Sequence, residues 1–140
     1  MFLLDTNVVS EARKSGDARA DVNVVAWLST ADPATLYISP ITLQEIEVGI
    51  LRAELRDAVK GSHLRKWMND RLIPEFAGRV LPIDAAIALR CASLHVPITQ
   101  SDNDAWIAAT ALVHNMTVVT RNIADFQRTG VRLLNPWDPA

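Results

Sequence analysis

The chain has 140 residues, 49% of them hydrophobic and 21% charged, and 14 basic against 16 acidic side chains leave a formal charge of −2. This composition excludes disorder, excludes binding of nucleic acid by bulk positive charge, and holds no apolar run near the ~18 residues of a membrane span. Cys91 is the one cysteine, so no disulfide forms within the chain and a reducing cytoplasm is expected.

The length predicts one domain over 1–140. Phe2 to Leu4 reads as a short buried strand. Asp5 interrupts the apolar run too early for a signal peptide. Asn7 to Lys14 is helical, stopping near Ser15-Gly16, and Asp17 to Asp21 is a polar loop. Val24 to Ser29 is a second short helix. Leu36 to Ser39 is a strand rich in β-favouring residues. A helix then starts at Pro40 and Thr42, with Leu43, Ile46, Ile50 and Leu51 at helical spacing. Ser62 to Leu72 repeats that spacing with Leu64, Trp67, Met68 and Leu72.

Val80 to Ile83 reads as a third strand, and Pro82 leaves one of its edges unpaired. Asp84 caps a helix to about His95. Ser101 caps a longer one to about His114, with Asn115 as a left-handed C-cap. Thr117 to Thr120 is a fourth strand, Asn122 to Phe126 a helical turn, and Val131 to Leu134 a fifth strand. Strands separated by helices predict an α/β fold with a mostly parallel sheet of about five strands, covered on both faces. Such sheets place their sites at the carboxyl ends of strands, where strand order reverses.

Four places carry acids at helix starts: Asp5, Glu45, Asp104, and the Asn122–Asp125 turn. Capping explains each one alone. Thr42-x-x-Glu45 and Ser101-x-x-Asp104 fit the capping box, Asn122-x-x-Asp125 is close to it, and Asp5, Thr6 or Asn7 can each cap the first helix. Taken together the acids have a second explanation. The sheet delivers Asp5, Glu45 and the Asn122 turn to one edge, and the helix before the fourth strand delivers Asp104. Gathered carboxylates repel, and a divalent cation relieves that repulsion. Oxygen-only ligands suit Mg²⁺, with Mn²⁺ as a substitute, and the matching chemistry is transfer of a phosphoryl group to water.

The segments LLDTNVVSE, ITLQEIEVGI, DAWIAATALVHNMTVVTRN and LLNPW resemble PIN-domain ribonucleases, in particular the VapC toxins of type II toxin–antitoxin pairs and their FitB-like branch. The resemblance runs nearly end to end. It implies a PIN-like α/β/α fold and a Mg²⁺-dependent endoribonuclease toxin held in check by a cognate VapB-like antitoxin. It also implies a homodimer and a structured RNA substrate such as a transfer RNA. Asp5, Glu45 and Asp104 match the three core acidic positions of that family. The fourth falls on the neutral Asn122, with Asp125 as the alternative. Thr6, Asn7 and Thr120 match its polar supporting positions. Small residues at Ala108, Ala109 and Ala111 let their helix approach the sheet and carry Asp104 toward Asp5.

Arg13, Lys14 and Arg121 flank the expected site and are candidates for holding an RNA backbone. His63, His95 and His114 lack metal spacing and read as surface or helix-end residues, and Cys91 as a small buried hydrophobe. Two rivals remain at this stage. One is another Mg²⁺ phosphotransfer domain, although an aspartyl-nucleophile phosphatase wants a second Asp where Asn7 stands. The other is a non-catalytic subunit that keeps the fold, for which Asn122 is the one hint.

Overall fold

The computed structural model describes residues 1–15 and 18–139. Gly16, in the expected helix stop, and Asp17, opening the expected polar loop, lie outside the described residues, as does Ala140. In chain order the elements are β1 (Phe2–Leu4), α1 (Thr6–Ala12), α2 (Val22–Thr30), a 3-10 turn (Pro33–Thr35), β2 (Leu36–Tyr37) and α3 (Pro40–Arg56). There follow α4 (Ala58–Trp67), a π-helical turn (Met68–Leu72), α5 (Ile73–Glu75), α6 (Ala85–Leu94) and α7 (Asp102–His114). The chain closes with β3 (Thr117–Val119), α8 (Ile123–Phe126) and β4 (Arg132–Leu134).

Among the described residues the sheet has four parallel strands in the order β2-β1-β3-β4. This corrects the expectation of five. The segment expected as a third strand contributes one bridge, Val80 to Ile38. The Leu81 N–H donates to the Ile38 carbonyl at 3.0 Å. Pro82 follows with no N–H to give, so the ladder stops there.

Successive strand residues face opposite layers. Leu4 and Val119 pack into one core with Val8, Val9, Ile46, Ile50 and Met68, beneath α1, α3 and the π-turn. Leu3 and Val118 pack into another with Ile107, Ala108, Ala111 and Phe126, beneath α7 and α8. The three-layer expectation is met, and α6 packs outside α7 through Ile87, Cys91, Ala105 and Ala109.

Helix ends follow their sequence. Asp84 caps α6 by accepting the Ile87 N–H at 3.0 Å. Asn115 ends α7 in the left-handed region, at φ 56° and ψ 47°. The sheet order reverses at β1, since β2 lies on one side of it and β3 on the other. A site is therefore expected beyond Leu4 and Val119, the carboxyl ends of two adjacent strands.

Candidate active site

Asp5 stands at that reversal point. Its N–H continues the ladder to the Val119 carbonyl at 2.9 Å, and only 5% of the residue is exposed. Oδ1 accepts the Thr6 N–H at 2.8 Å, so Asp5 does cap α1. Oδ2 accepts the Thr120 hydroxyl at 2.7 Å and, more weakly, the Asn7 amide at 3.4 Å. Burial raises the Asp5 pKa, the bonds from Thr120 and Thr6 pull it part of the way back, and the charges of Glu45 and Asp125 push it up again.

Capping does not explain Glu45. The cap of α3 is Ser39, whose hydroxyl accepts the Ile41 N–H at 3.0 Å, with Pro40 opening the helix. Thr42 lies inside the first turn, fully buried. Glu45 sits nearly two turns beyond that cap, where its carboxylate joins two other helices. Oε1 accepts the Thr6 hydroxyl of α1 at 2.6 Å, and Oε2 accepts the Asn103 amide of α7 at 3.3 Å.

The capping explanations for Asp104 and Asp125 fall in the same way, because neither Ser101 nor Asn122 makes a side-chain cap bond. Asp104 lies in the first turn of α7. Ala105, Ala108, Ala109 and Ala111 are fully buried, so α7 lies close over its neighbours and brings Asp104 to the strand ends. The Asp104 pKa is raised to about 6, first by burial and then by the charges of Asp5, Asp125 and Glu45. Four carboxylates thus share one electrostatic environment. Of the four, only Asp5 caps a helix.

Those donors are all oxygens, which fits a hard divalent cation. Among the described residues no three acidic, His or Cys side chains are gathered closely enough to close around one ion. A cation that takes one or two direct carboxylates and keeps most of its waters suits this spacing, and Mg²⁺ behaves so.

The supporting residues interlock. The Thr120 hydroxyl also accepts the Asn122 N–H at 3.0 Å, while the Asn7 amide reaches Thr120 Oγ1 and its Oδ1 accepts the Arg121 N–H, both at 3.4 Å. Asn122 and Arg121 are therefore tied to the site by their backbones. The Arg121 guanidinium lies over the Trp137 ring, 5.2 Å from its centroid.

Arg13 and Lys14 fall elsewhere. They follow the far end of α1, about 12 Å along the axis from Asp5 at 1.5 Å per residue, and Lys14 pairs with Glu11 at 3.3 Å. His95 is a helix-end residue, the C-cap of α6; its Nδ1 accepts the Gln100 N–H at 3.2 Å and Nε2 lies 3.7 Å from Asp102. Trp106 is half-buried and packs against the cluster of Ile87, Cys91, Ala105 and Ala109. Asn103 escaped the sequence reading, although it carried a faint signal, since a poor helix former in a first turn calls for a reason. Trp137, in the closing LLNPW segment, packs against the core beneath α1. Away from the strand-end carboxylates, a cavity of about 600 Å³ opens between α1, α2 and the π-turn, its apolar wall including Leu28, Trp67 and Phe76 and its charged lining Arg13, Arg71, Asp70 and Glu75.

Residues 2–131 match the PIN domain family. The chain is 35% identical to the VapC ribonuclease Y4jK of Sinorhizobium fredii, covering 100% of both chains. It is 35% identical to toxin FitB of Neisseria gonorrhoeae, covering 98% of this chain and 99% of that one. The solved structure of FitAB bound to a DNA fragment is similar with a TM-score of 0.88 at 36% identity, over 100% of this chain and 98% of that one. FitAcB from Neisseria gonorrhoeae gives 0.87 at 35% identity, over 98% and 99%. On this full-length likeness the chain belongs to the PIN-domain family, among its VapC-type toxins.

Proposed function

We propose that residues 1–140 act as one domain, a Mg²⁺-dependent endoribonuclease that serves as the toxin of a toxin–antitoxin pair. The observation that carries this reading is the environment of Asp104, whose pKa is raised first by burial and then by the charges of Asp5, Asp125 and Glu45. Such a pocket is costly without a cation, and relatives along the full length are named as ribonuclease and toxin.

Asp5 and Asp104 would hold the ion, with Glu45 beside them. The ion, when bound, polarises the scissile phosphate and makes water a better nucleophile. Glu45 accepts the proton of the attacking water, its carboxylate held in line by Thr6 and Asn103. The Asn122 amide, set by its backbone bond to Thr120, orients that water or a phosphate oxygen. Asp125 shares the field as a carboxylate and supplies charge where Asn122 has none. Mn²⁺ fits the same donors.

The protein partner in this reading is a VapB-like antitoxin, as in the FitAB complex. The cavity beside α1, with its apolar wall and its charged lining, suits an amphipathic segment of that partner, and a basic side chain on the partner would suit the acidic pocket. The chain itself pairs as a homodimer, and its substrate is a structured RNA of the transfer RNA kind. No helix among the described residues is long and apolar enough to cross a membrane, which suits a toxin that meets RNA in the cytoplasm.

The test is cleavage of total bacterial RNA by antitoxin-free protein, with Mg²⁺ or with EDTA, beside Asp5→Asn. Loss of cleavage in EDTA and in the variant is the expected result. Cleavage indifferent to both overturns the metal mechanism. A metal-binding protein that cleaves no RNA is the non-catalytic subunit that Asn122 hints at.

A further inference from the structure

The C-terminal turn and the acidic pocket are joined by a set of contacts that the pocket alone does not require. The Thr120 N–H donates to the Leu134 carbonyl at 3.0 Å, so the chain leaving β4 starts beside the pocket floor. Asn135 then folds the chain back, its Oδ1 accepting the Trp137 N–H at 2.9 Å. The Trp137 carbonyl accepts the Asn23 amide of α2 at 2.8 Å, and the ring packs against the core beneath α1. Trp137 is thus fixed on three sides, and the Arg121 guanidinium lies over its ring.

Arg121 is the basic residue nearest in sequence to the pocket's supporting side chains. Its backbone is held by Asn7, the residue whose amide also reaches Asp5. Yet its side chain does not fall onto the carboxylates: among the described residues Arg121 takes part in no salt bridge, and it is exposed. A guanidinium that reached the carboxylates would quench the pocket and use up its own planar fork. The Trp137 face offers it an alternative seat, because the ring's negative π-face attracts a cation while leaving the N–H edge open. That open edge matches a phosphate.

We propose that Trp137 is a positioning residue for RNA binding: it holds the Arg121 guanidinium at the rim of the acidic pocket, off the carboxylates, where Arg121 binds a backbone phosphate of a single-stranded segment. This deepens, and rests on, the reading of the pocket as a site of RNA hydrolysis. A stacking contact at an exposed position changes occupancy of the seated conformer by about two- to fivefold, and that is the size of effect Trp137 exerts through Arg121.

The experiment is a double-mutant cycle on antitoxin-free full-length protein, read by fluorescence anisotropy of a labelled single-stranded RNA in EDTA, so that binding is measured without turnover. Arg121→Ala weakens binding about tenfold and lowers the slope of log K against log salt by about 0.7, one phosphate's worth on a single strand. Trp137→Leu weakens binding about threefold, Trp137→Phe recovers most of that loss, and the double variant binds like Arg121→Ala alone. In Mg²⁺, Trp137→Leu raises KM and holds kcat. The proposal is overturned if Trp137→Leu binds as the wild type does, if its effect persists in full on top of Arg121→Ala as a purely structural role requires, or if the wild type does not bind the RNA. A wild type that binds but never cleaves in Mg²⁺ instead refutes the hydrolysis reading, and the binding cycle still decides the role of Trp137.

Discussion

Thr120 donates its hydroxyl proton to Asp5 Oδ2 across 2.7 Å, in a fully buried bond that joins the ends of two neighbouring parallel strands. The bond does two things at once. It satisfies a carboxylate that burial would otherwise drive toward its neutral form, and with the Thr6 N–H on Oδ1 it fixes the orientation of that carboxylate. Replacement by valine keeps the shape and removes the donor. Thr120→Val is expected to cost about 1.5–3 kcal/mol of stability, the range for a hydrogen bond to a charged group. It should also lower Mg²⁺-dependent cleavage by about tenfold, whereas Thr120→Ser restores both. Urea unfolding and an RNA cleavage assay check the pair. A valine variant with unaltered stability would mean that Asp5 does not need this donor.

Glu45 connects three helices without capping any, so its carboxylate charge can be removed with little effect on the fold. Glu45→Gln leaves an oxygen to accept the Thr6 hydroxyl and removes the base. The expected result is a fall in kcat of about 10²–10⁴, the usual worth of general base catalysis, with the thermal midpoint held. Single-turnover cleavage and a melting curve decide it. A fall in midpoint with kcat retained would make Glu45 a structural tie between α1 and α7.

What the sequence made legible here, and what it hid, divides along a physical line. Strand cores such as Leu3-Leu4 and Val118-Val119, and helix stops such as Asn115, depend on neighbours a few residues away, so pattern and propensity found them. The capping boxes at Thr42 and Ser101 matched a local template that the chain does not use. Ser39 with Pro40 captured the start of α3 instead, and a three-residue shift turned Glu45 from a cap into a cross-helix acceptor. Pro82 was read as a sign of an unpaired edge, but it ended the strand altogether. The contacts of Asn103 with Glu45 and of Trp137 with Arg121 span distant parts of the chain, and no periodicity encodes such pairings.

The raised pKa of Asp104 fixes the direction of two pH effects. In the folded protein the group titrates near 6, against an ordinary aspartate value of 3.8. Between those values the folded state holds more protons than the unfolded chain, so stability falls as pH rises through the window, and the penalty is complete above it. The Asp5 shift has the same sign. Metal-free protein is therefore expected to lose stability from pH 4 to pH 7, and Mg²⁺ to raise the midpoint more at pH 7.5 than at pH 5. Asp104→Asn removes a repelled charge and should raise the metal-free midpoint at pH 7.5 by about 3 °C, with a smaller effect at pH 5. Cleavage should climb through pH 6, and more Mg²⁺ should shift that rise to lower pH because the cation competes with the proton. Thermal shift with EDTA and with Mg²⁺ across this range checks both signs. A Mg²⁺ stabilisation that is independent of pH would separate the ion from these two carboxylates.

The position of Asp104 depends on side chains that are absent as much as on those present. Ala108 is fully buried against Leu3 and Val118 in the core beneath α7, and it lies one turn along the helix from Asp104, on the same face. A larger residue there has no cavity to fill, so α7 must shift or a neighbour must leave its rotamer, at a cost of about 1–3 kcal/mol. The shift carries Asp104 away from Asp5, and a displacement near 1 Å at a reacting centre costs about 10²-fold in rate. Ala108→Leu is accordingly expected to lower kcat far more than its stability loss explains at a temperature where the variant stays folded. Ala88→Leu, an exposed site on α6, serves as the control for added bulk. Because the separating carboxylates also relieve each other, the Asp104 pKa should fall back toward 3.8 in Ala108→Leu, readable by carbon NMR of the labelled carboxyl. An unchanged pKa with full activity would show that α7 tolerates the leucine without moving, and that the alanine run serves helix propensity alone.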